Sequence, residues 1–153
     1  PGTTRVGLVH ASRPGHPSAA QRDCALPLFA PLAGIPGVRL YDLQFGNTAM
    51  APEWLTRVGH VVGDFAQTAA VVDTLDLVIT VDTAMAHLCG ALGKPVWVLL
   101  SNPCDWRWRR DRDDSPWYPS MRLYRQAQPG DWSAPLARIA EDLDALANGT
   151  AAA

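Results

Sequence analysis

Three polar residues, Asp82, Thr83 and His87, follow directly on the apolar run Leu77–Val81. A helix that starts at this point presents unpaired backbone N–H groups and the positive end of its dipole, which together bind anions such as phosphate. Thr83 adds a hydroxyl, and His87, one turn later on the same face, could donate a hydrogen bond to that anion. The segment therefore predicts a phosphate site, and a solvated polar helix face is the alternative for His87.

Asp82 requires a different partner, because a carboxylate repels a pyrophosphate. It could cap the helix, a role that Thr83 could fill equally well, or accept hydrogen bonds from the hydroxyls of a sugar. The small side chains of Ala84 and Ala86 would let a ligand approach the helix backbone. A ligand with both phosphate and polyol parts would satisfy all of these residues. No GxGxxG or GxxxxGK[ST] pattern follows a strand, which argues against ordinary dinucleotide and P-loop sites.

The elements that must position these residues alternate between strand and helix. Apolar and β-branched runs predict strands at 5–9, 38–43, 61–62, 77–81, 96–100 and 121–125. Helical spacing predicts helices at 23–33, 68–75, 83–92 and 133–146, the third with a buried stripe of Met85, Leu88, Cys89 and Leu92. This alternation is typical of the α/β class and implies a doubly wound, Rossmann-like parallel sheet.

Ligands of such a sheet bind beyond the carboxyl ends of the strands, where the strand order reverses. With the common order 3-2-1-4-5-6, that point lies between the first and the fourth strand. The loop 11–22 and the helix start at 83–85 then face each other across one crevice. The topology therefore places the ligand between these two segments.

Composition narrows the classes of function. The 153 residues carry a net charge of −2, which gives no electrostatic case for binding nucleic acid. No apolar run approaches the roughly 20 residues that span a bilayer, and no signal peptide opens the chain. The three cysteines are predicted to be buried apolar residues in a reducing, cytoplasmic compartment. Because the chain opens on Pro1 and not on Met, we expect a piece of a longer protein, with one domain at 1–147 and a disordered tail at 148–153.

The long loop 101–119 holds Trp106 and Trp108, which could stack on a sugar or a base, or pack beneath the loop as core residues. The alternating Arg and Asp residues at 107–114 are interpreted as a surface whose charges neutralise one another. The Asp residues there are not predicted to bind a metal ion, because the neighbouring guanidinium groups cancel their negative field. The four histidines and three cysteines are scattered without zinc spacing, so no metal site is predicted.

Residues 82–95, DTAMAHLCGALGKP in one-letter code, resemble the D-[ST]-G-x-x-H-x-A-x-A-L-G-[KR]-P signature of glycosyltransferase family nine, the heptosyltransferase-like enzymes. The wider stretch 64–125, with DWRW at 105–108 and SPWYP at 115–119, is similar to a family-nine-like domain attached to tetratricopeptide-repeat proteins. The similarity covers most of the chain and is most specific over 76–118. Ala84 departs from the family, which usually has glycine there, and its methyl group would narrow the approach to the phosphates.

The resemblance implies a bacterial enzyme of the GT-B fold, of which this chain is the C-terminal, donor-binding half. Its substrate would be a nucleoside diphosphate sugar, used without a cofactor or a metal. The implied donor contacts are Asp82, Thr83, Ala84, Met85 and His87 at the fourth strand, Arg13, His16 and Arg22 after the first strand, and Gln44 after the second. The family's acceptor-activating carboxylate belongs to the N-terminal half, so the catalytic residue is unknown and the fragment alone is expected to be inactive.

Two classes of function stay open. The first is the donor-binding half of a glycosyltransferase, whose partner would be an N-terminal acceptor domain or the tetratricopeptide repeats of the parent chain. The second is a non-catalytic nucleotide-binding or protein-interaction module of a repeat protein, with the same fold. Half of a sugar-nucleotide epimerase would share the fold but demand different acidic residues around the crevice.

Overall fold

A computed structural model describes residues 2–46, 50–59 and 62–150 of the chain. Its strands are β1 Thr4–Val9, β2 Val38–Asp42, β3 Leu55–Arg57, β4 Leu77–Val81, β5 Val96–Leu100 and β6 Met121–Arg125. Its helices are α1 Ala19–Arg22, α2 Phe65–Asp73, α3 Ala84–Ala91 and α4 Ser133–Ala147, with 3₁₀ helices at Leu26–Gly34 and Trp106–Trp108. None of the helices in these ranges is long and apolar enough to span a membrane.

The six strands found in this part of the chain are parallel and follow the order β3-β2-β1-β4-β5-β6. This order confirms the predicted doubly wound sheet. It also confirms that the strand order reverses between β1 and β4, whose ends are in register, with Val9 opposite Thr80.

The third strand lies six residues before its predicted position. It is formed by Leu55–Arg57 and pairs with the end of β2, whereas Val62 lies outside any strand and Val61 falls outside the described residues. In this short edge strand only Leu55 is buried. A strand with one buried side chain has no period that a sequence pattern could reveal.

The predicted helix at 23–33 is also different in the structure, which has a 3₁₀ helix that begins at Leu26. Pro27 lies in its first turn and Pro31 in its interior. Proline lacks the N–H that an α helix needs and its ring clashes with the preceding turn, so this segment cannot form a continuous α helix.

Side chains from alternate strand positions fill two apolar layers, one on each face of the sheet. On one face, Leu77, Ile79 and Val81 of β4 pack with Phe29 and with α4. On the other face, β4 and β5 pack with the layer of buried side chains Val72, Ala86, Cys89 and Trp108. Every side chain of β4 is buried, as its continuous apolar run predicts for a central parallel strand.

The buried face of α3 is formed by Ala86, Cys89 and Gly90, so Cys89 of the predicted stripe is buried as expected, whereas Leu92 is 50% exposed. The aromatic ring of Tyr118 accounts for the small residues on this face. A Cβ atom added to Gly90 would come within 2.4 Å of Cγ of that ring. The helix therefore approaches the loop after β5 too closely for any side chain larger than hydrogen at this position.

The cysteines divide into two kinds. Cys24 and Cys89 are buried, and burial raises the pKa of each thiol to about 12. Cys104 is half-buried. The prediction of buried apolar cysteines is therefore confirmed for the first two.

The loop 101–119 is fixed to the sheet by Arg125 at the end of β6. Its Nη2 atom donates to the carbonyl oxygens of Trp108 at 2.5 Å and of Arg112 at 2.9 Å, and its Nε atom donates to the latter at 3.1 Å. Trp108 is fully buried, which confirms core packing for this indole, whereas Trp106 is 76% exposed.

The same loop turns back along the free side of β6. Asp114 forms an isolated antiparallel bridge with Arg122, and the N–H of Leu123 donates to the carbonyl oxygen of Asp113 at 2.7 Å. The ion pair from Arg112 to Asp114 at 2.6 Å lies within the predicted self-neutralising stretch, whereas Asp113 pairs with Arg138 of α4 at 3.1 Å.

Candidate functional site

The candidate site lies at the carboxyl edge of the sheet, between β1 and β4. Thr83 is the N-cap of α3, and its Oγ1 accepts a hydrogen bond from the N–H of Met85 at 3.3 Å. The same hydroxyl lies 3.2 Å from Oγ1 of Thr80. Thr83, and not Asp82, therefore caps the helix, which leaves the carboxylate of Asp82 for another role. Ala84, the first helical residue, is exposed.

The carboxylate of Asp82 is paired with Arg22 across the crevice. Nη2 of Arg22 lies 3.5 Å from Oδ2 of Asp82 and 4.0 Å from Oδ2 of Asp105. Arg107 pairs with Asp105 at 2.8 Å. These four residues form a charge chain that links α1, the end of β4 and the loop after β5. The structure thus brings Arg22 and Asp82 together, as the predicted crevice requires.

The other two basic residues of the loop after β1 make only local contacts among the described residues. Nδ1 of His16 accepts a hydrogen bond from the N–H of Ser18 at 3.1 Å, and the N–H of His16 donates to the carbonyl oxygen of Arg13 at 3.1 Å. The side chain of Arg13 is exposed. The loop therefore places these side chains near the crevice without fixing Arg13 in one position.

Gln44 joins the loop after β2 to the loop after β1. Its Oε1 accepts from the N–H of Ala11 and its Nε2 donates to the carbonyl oxygen of Ala11, both at 3.0 Å. The N–H of Gln44 donates to Oδ1 of Asp42 at 2.9 Å. The amide thus holds two loops in register at the edge of the crevice, a positioning role that its place in the sequence did not predict.

His87 is half-buried, one turn after Thr83. Its ring stacks on the indole of Trp108, with centroids 5.3 Å apart and planes inclined by 20°. Its Nδ1 lies 3.1 Å from the hydroxyl oxygen of Tyr118. His87 is therefore not a freely solvated side chain, because two residues of the loop 101–119 determine where its ring lies.

His10, directly after β1, is a candidate residue that the sequence analysis missed. Its Nε2 is enclosed without a hydrogen-bond partner in the described part of the chain. Burial lowers the pKa of His10, while the carboxylate of Asp42, the backbone of Cys24 and the carboxylate of Asp23 act in the opposite direction. Asp82 was identified because it is a polar residue immediately after a buried strand. His10 follows β1 in the same way, so the same signal could have identified it.

We expect the variant His10→Gln to be less sensitive to acid than the wild type. Because burial holds the folded-state pKa of His10 below the unfolded value of about 6.5, protons bind the unfolded chain first as the pH falls. The free energy of unfolding therefore decreases from about pH 6.5 down to the folded-state pKa, by up to about 1.4 kcal/mol per pH unit, and this component is absent in the variant.

Urea denaturation of both proteins from about pH 8 to about pH 5 measures this effect. The difference in the free energy of unfolding between the two proteins should be constant above about pH 7.5. Below about pH 6.5 the wild type should lose stability relative to the variant. Parallel profiles across the whole range would contradict the assignment of a buried, neutral His10.

The arrangement offers a helix N-terminus with a hydroxyl for an anion and a buried, charge-compensated carboxylate for hydroxyl groups. Within the described ranges, no three His, Cys, Asp or Glu side chains are grouped so that they could hold a metal ion. The chemistry that these residues can provide is binding of a ligand that carries both phosphate and hydroxyl groups.

Comparison with known proteins gives a match to one family over part of the chain and a shared fold. Residues 61–131 match the family Glycosyltransferase family 9 (heptosyltransferase), a stretch that includes β4, α3, β5 and the loop 101–119. The chain is 30% identical over 149 residues to Protein FlbA of Caulobacter vibrioides, and the match covers 91% of this chain and 25% of FlbA.

Two solved heptosyltransferases share the fold. The chain matches E. coli ADP-heptose LPS heptosyltransferase II with a TM-score of 0.64 and 18% identity, over 96% of this chain and 47% of that one. It matches E. coli heptosyltransferase WaaC with ADP with a TM-score of 0.62 and 16% identity, over 95% and 45% of the two chains. The sheet is therefore the Rossmann-like sheet of these GT-B structures, and the chain spans about half the length of each and a quarter of FlbA.

Proposed function

We propose that this chain is the donor-binding half of a cytoplasmic GT-B glycosyltransferase of family nine, holding a nucleoside diphosphate sugar where β4 meets α3. The observation that carries the proposal is the coincidence of two findings at one place. The stretch that matches the family includes the β4–α3 junction, and this junction presents the capping hydroxyl of Thr83 beside the buried carboxylate of Asp82. ADP, with which the matching WaaC structure was solved, is the natural probe.

In this proposal the diphosphate lies at the start of α3, where Thr83 and the helix dipole stabilise its charge. Asp82 accepts hydrogen bonds from sugar hydroxyls, and Arg22 offsets the negative charge of the carboxylate at 3.5 Å. His87 donates to the diphosphate, and Met85 and Ala84 line the approach. Arg13, His16 and Gln44 remain proposed contacts from the two neighbouring loops.

The partner of this half is proposed to be a second, N-terminal domain that binds the acceptor and supplies the catalytic base. The chain spans 47% of the length of heptosyltransferase II, and in this proposal a second domain faces the crevice, excludes water and positions the acceptor. The isolated chain is therefore proposed to bind the donor without transferring its sugar. The tetratricopeptide repeats of a parent chain are the other proposed partner.

The second candidate is a non-catalytic nucleotide-binding or protein-interaction module. One observation favours it, namely the methyl group of Ala84 at the position where the family's signature has glycine. An affinity measurement separates the donor-binding half from a protein-interaction module, which would not bind ADP through Thr83, whereas a non-catalytic nucleotide-binding module would bind ADP as well.

We expect the chain to bind ADP and the variant Thr83→Val to bind it roughly tenfold more weakly, because a hydrogen bond to a charged phosphate contributes about 1.5 kcal/mol or more. Isothermal titration calorimetry measures the affinities, and Thr83→Ser, which keeps the hydroxyl, is the matched control. Thr83→Val also removes the N-cap, so its stability should fall by about 1 kcal/mol and is measured in parallel.

The proposal fails if the wild-type chain does not bind ADP. Equal ADP affinities for the wild type and Thr83→Val would instead remove Thr83 from the site. Binding in which Thr83→Ser matches Thr83→Val would show that the hydroxyl has no part in recognition.

A further inference from the structure

The orientation of the His87 ring is determined by two side chains that come from one loop. Trp108 stacks on one face of the ring at 5.3 Å, which fixes the ring plane. The hydroxyl of Tyr118 meets Nδ1 at 3.1 Å, which fixes the rotation of the ring within that plane. The plane of the imidazole and its rotation within that plane are thus both constrained, and together they determine which nitrogen faces a ligand.

Both of these aromatic residues are themselves held in place. Trp108 is fully buried, and its carbonyl oxygen accepts from Arg125 at 2.5 Å. The ring of Tyr118 occupies the space that the missing side chain of Gly90 leaves on α3, and its carbonyl oxygen accepts from the N–H of Met121 at the start of β6. The contact between Tyr118 and His87 is therefore part of the packed structure.

A neutral imidazole has one nitrogen that donates and one that accepts, and the partner of the first decides the role of the second. If the hydroxyl of Tyr118 donates to Nδ1, the proton of His87 is on Nε2, which has no hydrogen-bond partner among the described residues. If Nδ1 donated instead, the hydroxyl hydrogen of Tyr118 would lack an acceptor in the same part of the chain, and Nε2 would present a lone pair that repels phosphate. The first arrangement satisfies both groups.

Among the described residues, the side-chain hydrogen bond of the His87 ring is the one to Tyr118, and no charged side chain is paired with it. The described ranges give no ion pair to His87, and the groups packed against its ring are the phenol of Tyr118 and the indole of Trp108. The hydroxyl of Tyr118 is thus the polar group that can select the position of the imidazole proton.

We propose that Tyr118 is a positioning residue, whose hydroxyl donates to Nδ1 of His87 and keeps the neutral imidazole in the Nε2–H form that donates to the diphosphate. This inference rests on the proposed function for the identity of the ligand. It assigns to the loop 101–119 a role in recognition that the family resemblance did not imply. That role is to keep the imidazole of His87 in the tautomer that has its proton on Nε2.

The test is a nitrogen-15 NMR measurement of the His87 ring at alkaline pH, where an imidazole is neutral, with His87→Gln used to assign its signals. In the wild type we expect Nε2 to carry the proton and Nδ1 to have the chemical shift of an unprotonated nitrogen. In Tyr118→Phe the shifts should move toward the mixture of the two forms seen for a free histidine. The phenyl ring still fills the space beside Gly90, so this variant keeps the packing. Tyr41→Phe, on β2, is the matched control and should leave the signals unchanged.

A wild-type ring with its proton on Nδ1 would overturn the proposal, and so would identical nitrogen shifts in the wild type and Tyr118→Phe. These measurements need no ligand, so they decide the role of Tyr118 separately from the proposed function.

A double-mutant cycle then tests whether the contact between Tyr118 and His87 contributes to ADP binding. Tyr118→Phe should weaken ADP binding several-fold when His87 is present and have little effect in the His87→Gln background. An equal loss in both backgrounds would show that Tyr118 does not act through His87. Failure of the wild type to bind ADP would reject the proposed function. The position of the ring proton would still be decided by the NMR measurement alone.

Discussion

Replacement of Trp108 by alanine is expected to lower the free energy of unfolding by about 3–5 kcal/mol, the range for truncating a buried aromatic side chain to alanine. Trp108 is fully buried and packs in the apolar layer with Cys89 and Val98, so its removal leaves a cavity that the rigid strands cannot fill. The variant also loses the stacking surface of His87.

Urea denaturation monitored by circular dichroism measures this loss. The matched control is Trp106→Ala, two residues away, whose indole is 76% exposed and whose removal should change stability by no more than about 0.5 kcal/mol. If Trp108→Ala is too unstable to purify, Trp108→Phe keeps a ring in the layer and should lose less. Similar losses for Trp108→Ala and Trp106→Ala would mean that the loop does not pack on the sheet as described.

Replacement of Arg125 by methionine is expected to destabilise the protein by about 2–4 kcal/mol, because it leaves the carbonyl oxygen of the buried Trp108 without its donor, at a cost of about 1–3 kcal/mol, and removes the bonds to the carbonyl oxygen of the half-buried Arg112, each contributing about 1 kcal/mol or less. Methionine keeps most of the volume of the aliphatic chain, so the change isolates the guanidinium. Sγ of Cys104 also lies 3.2 Å from Nη1 and loses this contact.

Denaturation in urea gives the stability of Arg125→Met, and hydrogen exchange shows where the protection is lost. We expect faster exchange confined first to the loop 101–119 and to the part of α3 around His87 and Gly90, which this loop contacts. Arg110→Met is the control, since Arg110 is exposed and forms no ion pair within the described residues. Unchanged exchange in the loop of Arg125→Met would show that another contact holds it.

Much of the fold could be predicted from the sequence because its central strands are buried on both faces. The run of β5 is wholly apolar and that of β4 is apolar except for the β-branched Thr80, and the helix between them completes a βαβ unit whose topology leaves few alternatives. The edge strand Leu55–Arg57 gave no comparable signal, since a single buried leucine has no pattern. The predicted stripe on α3 was correct for Cys89 and wrong for Leu92, because hydrophobicity favours Leu92 whereas close packing against Tyr118 selects Gly90.

The candidate site was predictable where its residues are neighbours along the chain, and where the strand order brings two loops together, as for Arg22 and Asp82. Thr83 and Asp82 were found because a strand end and a helix start coincide there. The bonds of Gln44 to Ala11 and of His87 to Tyr118 join residues 33 and 31 positions apart. No spacing rule reaches across such distances, so the two positioning roles emerge only when side chains are placed in three dimensions.

The loop that bridges Asp114 to Arg122 has a consequence for association between molecules. An outer strand offers unpaired backbone groups to which a strand of another molecule can add, and natural sheets cover or charge such strands to prevent aggregation. Here the return of the loop occupies the N–H of Leu123 and lays the charged side chains of Asp113 and Asp114 along that side. The loop that contacts His87 therefore also shields the sheet, so a motion that withdraws residues 113–114 would expose β6 to self-association.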